Sequence, residues 1–290
     1  MSEKHANRLF DISNIVLITL AVVICIAPFF HIIAISLSSS RSIMSGKVTL
    51  FPMEITFEAY KQVFGDSSML RSLAYTIFLT LVTTVSSMLM TILAAYPLAK
   101  SSLRWKSLFM LIIVITMFFS GGMIPEYLLI RDLGLVNTTW SLVLPNLISP
   151  FYLIILITFF KGIPESLEEA AEIDGSNHFR TLWNVILPLS APVLATLSLF
   201  YAVNRWNGFQ DTLMYITKPE LYPLQLKLYQ IVSNAQASDL MRSEGVGMFK
   251  VLPEGIKAAS VIFATIPILL VYPWLQRYFV NGTMVGAVKG

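Results

Sequence analysis

Charged side chains are scarce in this sequence. Asp, Glu, Lys and Arg make up 13% of its 290 residues, about half the share usual in soluble domains. Hydrophobic residues make up 56%. A water-soluble fold of this length must clothe itself in polar side chains, and too few are present. Lipid removes that requirement. Cysteine is nearly absent: Cys25 stands alone, which excludes an intrachain disulfide. Its apolar neighbours make it a buried packing residue rather than a reactive thiol. Histidine is confined to His5, His31 and His178, so there is no H-E-x-x-H or comparable ligand set and no metal site is expected. No G-x-x-x-x-G-K-[ST] phosphate loop occurs, and the glycines near Gly121 and Gly134 lack the lysine that would follow. ATP hydrolysis is therefore not expected of this chain. A formal charge of +3 is too small to suggest nucleic acid. The aspartates fall in loops, which removes the paired intramembrane carboxylates of a membrane aspartyl enzyme.

What remains is apolar runs. A helix crossing a bilayer needs about 20 predominantly apolar residues. Six runs qualify: residues 15–37, 70–99, 107–129, 140–160, 186–203 and 258–279. The third is interrupted by Gly121-Gly122. The first is too long for a signal h-region and no A-x-A site follows, so an uncleaved span is expected. The expected fold is an all-α integral membrane protein with six transmembrane helices. An even number puts both termini on one side. Lys4, Arg8, Lys100, Arg104, Lys106, Lys161, Arg180, Arg277 and Lys289 fall in short segments that the positive-inside rule assigns to the cytoplasm. Residues 1–14 are then a cytoplasmic N-terminus and 15–290 one transmembrane domain. Within it lie an outer loop at 211–257 and a C-terminal tail at 280–290. Residues 57–64 read as a short helix in the first outer loop, and 221–232 as a helix lying on the outer surface. His31 reads as a packed, hydrogen-bonded histidine and His178 as a loop-surface residue. No soluble second domain, low-complexity tract or repeat is evident.

The cytoplasmic segment 161–188 carries the most local information. Pro164 suits a first helical turn, where its missing N–H is not needed. Glu165, Glu168 and Glu169 sit near the positive end of that helix's dipole. Ala170 and Ala171 are strong helix formers with little bulk. Gly175 supplies a left-handed stop, and Ser176 or Asn177 a cap for a second helix. Phe179, Leu182, Trp183 and Ile186 give that second helix one apolar face. Pro188 marks the entry to the fifth span. The prediction is a helix-turn-helix. Small alanines beside carboxylates would suit a socket for a partner's arginine, while a merely solvated, well-capped loop helix fits the spacing equally well.

Glu169-Ala170-Ala171, three residues, Gly175, nine residues, then Val185-Ile186-Leu187-Pro188 resembles the EAA loop of binding-protein-dependent ABC importer permeases. The one departure is Val185 in place of isoleucine. Leu50-Phe51-Pro52 with Thr56 and Tyr60, Gly134-Leu135-Val136-Asn137-Thr138 and the ending 282–290 are similar to carbohydrate permeases like the second inner-membrane subunit of the maltose importer. Ala59 replaces an asparagine often found before that tyrosine, and Arg71 stands where asparagine is usual. Gly121-Gly122-Met123-Ile124-Pro125 resembles a subgroup found beside systems for complex or acidic oligosaccharides.

The resemblance implies a bacterial cell-membrane permease subunit that moves a sugar by alternating access. It also implies a second permease subunit, two ATPase subunits holding ATP and Mg, and an extracellular or lipid-anchored solute-binding protein. It makes Glu168, Glu169, Ala170, Ala171, Asp174, Gly175, Leu187 and Pro188 the ATPase-docking loop, and Val288, Lys289 and Gly290 a further ATPase contact. Tyr201, Asn204, Arg205, Trp206 and Asn207 cluster at one end of the fifth span, where they would either line a sugar path or anchor the helix at headgroup depth. An importer of another solute is the nearest alternative. A secondary transporter is a further one, since Gly121-Gly122 would suit a broken helix.

Overall fold

The computed structural model describes the backbone of residues 2–243 and 254–287, and the side chains of residues 10–234 and 254–271. Among the described residues the regular elements are helical, with one isolated bridge between Ser38 and Ile55. In chain order they are α1 (Ser2–Ser36), α2 (Ser40–Met44), α3 (Glu58–Gly65), α4 (Ser67–Ala99), α5 (Lys106–Phe118), α6 (Met123–Asp132) and α7 (Trp140–Val143). Then come α8 (Pro150–Lys161), α9 (Glu165–Ile173), α10 (His178–Thr181), α11 (Leu187–Leu189), α12 (Ala191–Asn207), α13 (Gln210–Tyr215), α14 (Leu224–Ser243) and α15 (Glu254–Ala287). A π-helical turn, Leu182–Ile186, joins α10 to α11.

Among the described residues, three helical stretches are long and apolar enough to cross a bilayer unaided: Phe10–Ser36, Ser67–Ala99 and Glu254–Val271. The other three expected spans are bent pairs. Lys106–Phe118 and Met123–Asp132 meet at 115°, Trp140–Asn146 and Pro150–Lys161 at 46°, His178–Leu189 and Ala191–Asn207 at 84°. The first break falls at the Gly121-Gly122 interruption expected in the third run, the other two correct the uninterrupted fourth and fifth runs, and each has a local cause. Gly121-Gly122 disfavours continued helix. Pro145 and Pro150 flank the second break, Pro188 and Pro192 the third, and each proline removes a ladder donor.

Hydrogen bonds show that every bent pair makes a full traverse. Near the start of α4, the Tyr75 hydroxyl donates to Thr139 Oγ1 at 3.3 Å. Beyond its other end, Lys100 pairs with Glu168. Those points are separated by roughly 37 Å along the helix at 1.5 Å per residue, enough for a hydrocarbon core of about 30 Å. The chain therefore passes from the Lys100 end to the Tyr75 end through α5–α6, and returns through α7–α8. Asn137 Oδ1 then accepts from the Thr217 N–H at 2.7 Å, so α10–α12 brings the chain back to the Tyr75 end.

The contacts divide the chain into two compact units, the described residues of 1–70 with 228–267, and those of 71–227 with 268–290. In the first unit, Tyr60 on α3 bonds Ser36 Oγ at 2.8 Å, and Phe64 meets Phe263 edge-on at 5.3 Å. The His31 ring Nδ1 lies 2.6 Å from the Thr49 carbonyl, hydrogen-bonded as expected, but the residue is exposed rather than packed within the chain. Cys25 is exposed, against the expectation of burial. The apolar window of α1 has none of its residues buried among the described residues.

Among the described residues of the second unit lie two apolar clusters. One joins Met88, Ala95 and Tyr96 of α4 to Leu156, Ile157 and Phe160 of α8, and to Leu182, Ile186 and Leu197. Lipid is as apolar as leucine, so such contacts hold by close packing rather than by escape from water. Ala95, at 0% exposure, permits that closeness. The other cluster gathers Leu79, Ile130, Leu142, Val143, Tyr215 and Ile216. The helix read at 221–232 begins at Leu224, whose N–H donates to Thr76 Oγ1 at 2.8 Å. Leu224 and Leu226 are buried, so this segment starts inside the unit rather than on its surface.

Candidate functional site

The first candidate is the helical elbow after α8. Pro164 caps α9 rather than opening its first turn, and Glu165 and Glu168 occupy that turn. The helix ends in a Schellman motif: Ser176 N–H donates to Ala171 O at 2.9 Å and Gly175 N–H to Glu172 O at 3.0 Å. Gly175 has φ of +82°, a value that favours glycine. Asn177 is the cap of α10, its Oδ1 accepting from Arg180 N–H at 2.8 Å.

One side of the elbow is built into the unit. Ala171, Thr181, Leu182 and Ile186 are buried. Glu168 turns inward to Lys100, whose ammonium also lies 4.7 Å from the Tyr96 ring centre. Burial, the larger influence, lowers the Lys100 pKa from its ordinary 10.5, and Glu172 and Glu165 act against that shift. The other side is bare. Glu169, Ala170, Asp174, Phe179 and Trp183 are exposed, and Ile173 is 87% exposed. The Phe179 and Trp183 rings lie 6.4 Å apart. The expected single apolar face of the second helix is thus split, with Leu182 and Ile186 inward and Phe179 and Trp183 outward. The stripe is wider than its one neighbouring cluster, and the second helix passes through a π turn at Leu182–Ile186. Leu187 is half-buried and Pro188 exposed, at the mouth of the third break. His178 is exposed, 3.7 Å from Glu172.

The second candidate is a cavity of about 490 Å³ among α4, α7–α8 and α12–α13. Tyr201, Asn204, Arg205 and Asn207 line it, joined by Thr83, Asn146, Tyr152, Gln210 and Asp211. Trp206 is buried and does not line it. Tyr201 is structural as well as lining. Its hydroxyl accepts from Ser149 N–H at 3.0 Å and bonds Thr91 at 2.8 Å, while its ring stands edge-on to Tyr152 at 4.8 Å.

Arg205 is engaged through both terminal nitrogens, while its buried Nε has no partner among the described residues. Its two terminal nitrogens meet the Asp211 carboxylate at 2.5 and 3.0 Å, a bidentate pairing of the strong kind. They also reach the Gly208 carbonyl at 3.1 Å and the Leu142 carbonyl at 3.4 Å. Gly208 packs closely here: a Cβ would sit 3.0 Å from Arg205 Nη2, so the clamped guanidinium would have to give by a few tenths of an ångström. Asp211 and Lys100 were missed in the sequence. Asp211 lies beyond the turn at Gly208, and its place in the first turn of α13 was the available signal. Nothing local pointed from Lys100 to a partner 68 positions on. Val288, Lys289 and Gly290 lie outside the described residues, as does part of the 211–257 loop.

Comparison with known proteins agrees with this architecture. Residues 73–285 match the family described as binding-protein-dependent transport system inner membrane component. Protein LplC of Bacillus subtilis (strain 168) is 42% identical over 292 residues, spanning 100% of this chain and 98% of that protein. The polygalacturonan/rhamnogalacturonan transport system permease protein YtcP of the same organism is 41% identical, spanning 98% of this chain and 99% of that one. A chain in the crystal structure of a bacterial ABC transporter involved in the import of the acidic polysaccharide alginate superposes with a TM-score of 0.86 at 33% identity, covering 94% of this chain and 98% of that chain. Six traverses, a capped helical elbow and a match over most of its length make this chain a multi-pass membrane permease of the binding-protein-dependent ABC importer family.

Proposed function

We propose that this chain is a permease subunit that carries a sugar or oligosaccharide across a bacterial cell membrane, with ATP-driven motion imposed through the elbow at 164–188. Two ATPase subunits, holding ATP and Mg, dock on this chain and on a second permease subunit, and an extracellular or lipid-anchored binding protein delivers the sugar. The elbow and both termini face the cytoplasm. Val288, Lys289 and Gly290 add a further ATPase contact. Residues 15–290 act as one transmembrane domain, and the cavity lined by Tyr201, Asn204, Arg205 and Asn207 belongs to the sugar path. Trp206 supports that cavity from behind.

The observation that carries this reading is the two-sidedness of the elbow. Its inner side is packed on α4 and α8 through Leu182 and Ile186, with Lys100–Glu168 as a second tie. Its outer side offers a carboxylate, Glu169, among Ala170, Ile173, Phe179 and Trp183. Such a surface suits an apolar cleft with a basic residue at its rim. Because the inner side is packed on α4 and α8, displacement of the outer side is expected to move those helices. The carbohydrate cargo of YtcP and of the alginate importer supports a sugar as substrate. The test is Glu169→Lys in the assembled importer. It is expected to insert at wild-type level while losing sugar uptake and binding of the ATPase subunits, read by copurification. Wild-type uptake at normal protein level would refute the docking role.

A further inference from the structure

The cavity carries a charge asymmetry with a consequence for the cargo. Among the described lining residues Arg205 and Asp211 are the only acid–base pair, and their charges cancel. The two partners are not equally accessible. The Arg205 side chain is 4% exposed and the Asp211 side chain 23%. Both terminal nitrogens of the guanidinium are taken up by the carboxylate and by two backbone carbonyls. What faces the open space is therefore the anionic member of the pair. Around it stand Asn204, Asn207 and Gln210, exposed and without side-chain hydrogen bonds among the described residues. Thr83 Oγ1 is buried with no partner.

The depth of the cavity adds weight. Thr83 lies two turns along α4 from Tyr75, within the membrane-crossing stretch. Free amides at that level do not face hydrocarbon without cost, so they face a wet path. An amide both donates and accepts, as a sugar hydroxyl does. A uronate carboxylate only accepts, and here it would lie beside an accessible like charge with its nearest cation already engaged.

We propose that this cavity is a carbohydrate subsite for an uncharged, hydroxyl-rich sugar and that it discriminates against uronates. The proposal rests on the sugar-path reading above and sharpens it. It also departs from the acidic cargo named for the alginate importer and for YtcP. A volume of about 490 Å³ falls in the range of small-molecule sites. The Tyr152 and Tyr201 rings supply an aromatic wall for a sugar's apolar edge.

The test uses the assembled importer in proteoliposomes, with Cys25→Ser and Asn207→Cys in this chain. Labelling rates of the new thiol are measured with a cationic and an anionic methanethiosulfonate, each normalised to its rate with a free thiol in solution. The cationic reagent is expected to be favoured about threefold or more. Asp211→Asn, which leaves Arg205 uncompensated, should reverse the preference. Gln210→Lys should do the same at an exposed position that leaves the clamp intact. Neutral galactotriose should slow labelling and trigalacturonate should not. Equal rates, preference for the anionic reagent, or equal protection by the uronate would overturn the charge inference and leave the path reading standing. Absence of labelling, or of protection by either sugar, would overturn the path reading itself.

Discussion

At the scale of single residues, backbone geometry makes the firmest demand at Gly175. Its φ of +82° is costly for any residue with a Cβ, while a Cβ there would meet nothing within 4 Å. The effect of Gly175→Ala is thus conformational alone, about 1–2 kcal/mol. It is expected to raise hydrogen-exchange rates across Glu165–Ile173 without lowering membrane insertion. Unchanged exchange would mean that the Schellman turn does not hold α9. A second residue, Glu54, gives a pH dependence. Hydrogen bonds from Ser39 and then Ser42 are the main causes lowering its pKa from 4.5. A depressed carboxyl pKa means that the folded form binds fewer protons than the unfolded one. The stabilisation is present above about pH 4.5 and is lost as pH falls through the lower folded value. Exchange protection of residues 38–56 should therefore fall on acidification in the wild type, and should be lower and flat in Glu54→Gln.

At the scale of elements, the tie between α4 and α9 has a function beyond holding the chain together. Glu168 and Glu169 are adjacent in sequence, yet one faces Lys100 and the other faces outward. Adjacent residues on a helix differ by about 100° in direction, so the pair divides between an inner strut and an outer contact. Pairs as accessible as Lys100–Glu168 contribute on the order of 1 kcal/mol or less. Losing it should leave the fold intact and loosen the elbow. Lys100→Glu and Glu168→Lys are each expected to lower sugar transported per ATP hydrolysed in the reconstituted importer. The double exchange should restore much of that ratio. Loss of ATPase copurification in Glu168→Lys alone would instead make Glu168 an outer contact. The elbow's turn was legible in the sequence because glycine, asparagine and proline act through local backbone chemistry. The strut was not legible, because it joins residues separated by two traverses. The splitting of Phe179 and Trp183 from Leu182 and Ile186 was also hidden. Apolar spacing reports that a face is greasy, and not how much of it the chain's own core covers.

At the scale of the whole chain, the six apolar runs were legible from composition, while the bends at Gly121-Gly122, Pro145–Pro150 and Ser190 depended on how glycines and prolines acted within them. The bends matter because a broken helix crosses the membrane only if its halves continue in one sense. The Tyr75–Thr139 and Asn137–Thr217 bonds at one end of α4, and the Lys100–Glu168 pair at the other, require all three bent pairs to cross. That parity yields a prediction about sidedness. With Cys25→Ser as parent, Phe179→Cys at the elbow and Thr138→Cys in the opposite loop should react with a membrane-impermeant maleimide from opposite faces of the membrane. In right-side-out vesicles Thr138→Cys is expected to label at once and Phe179→Cys only after permeabilisation. Labelling of both from outside would break the parity, and with it the placement of the elbow beside the ATPase. Reversed labelling would keep the parity but put the elbow outside, where no ATP-bound partner could reach it.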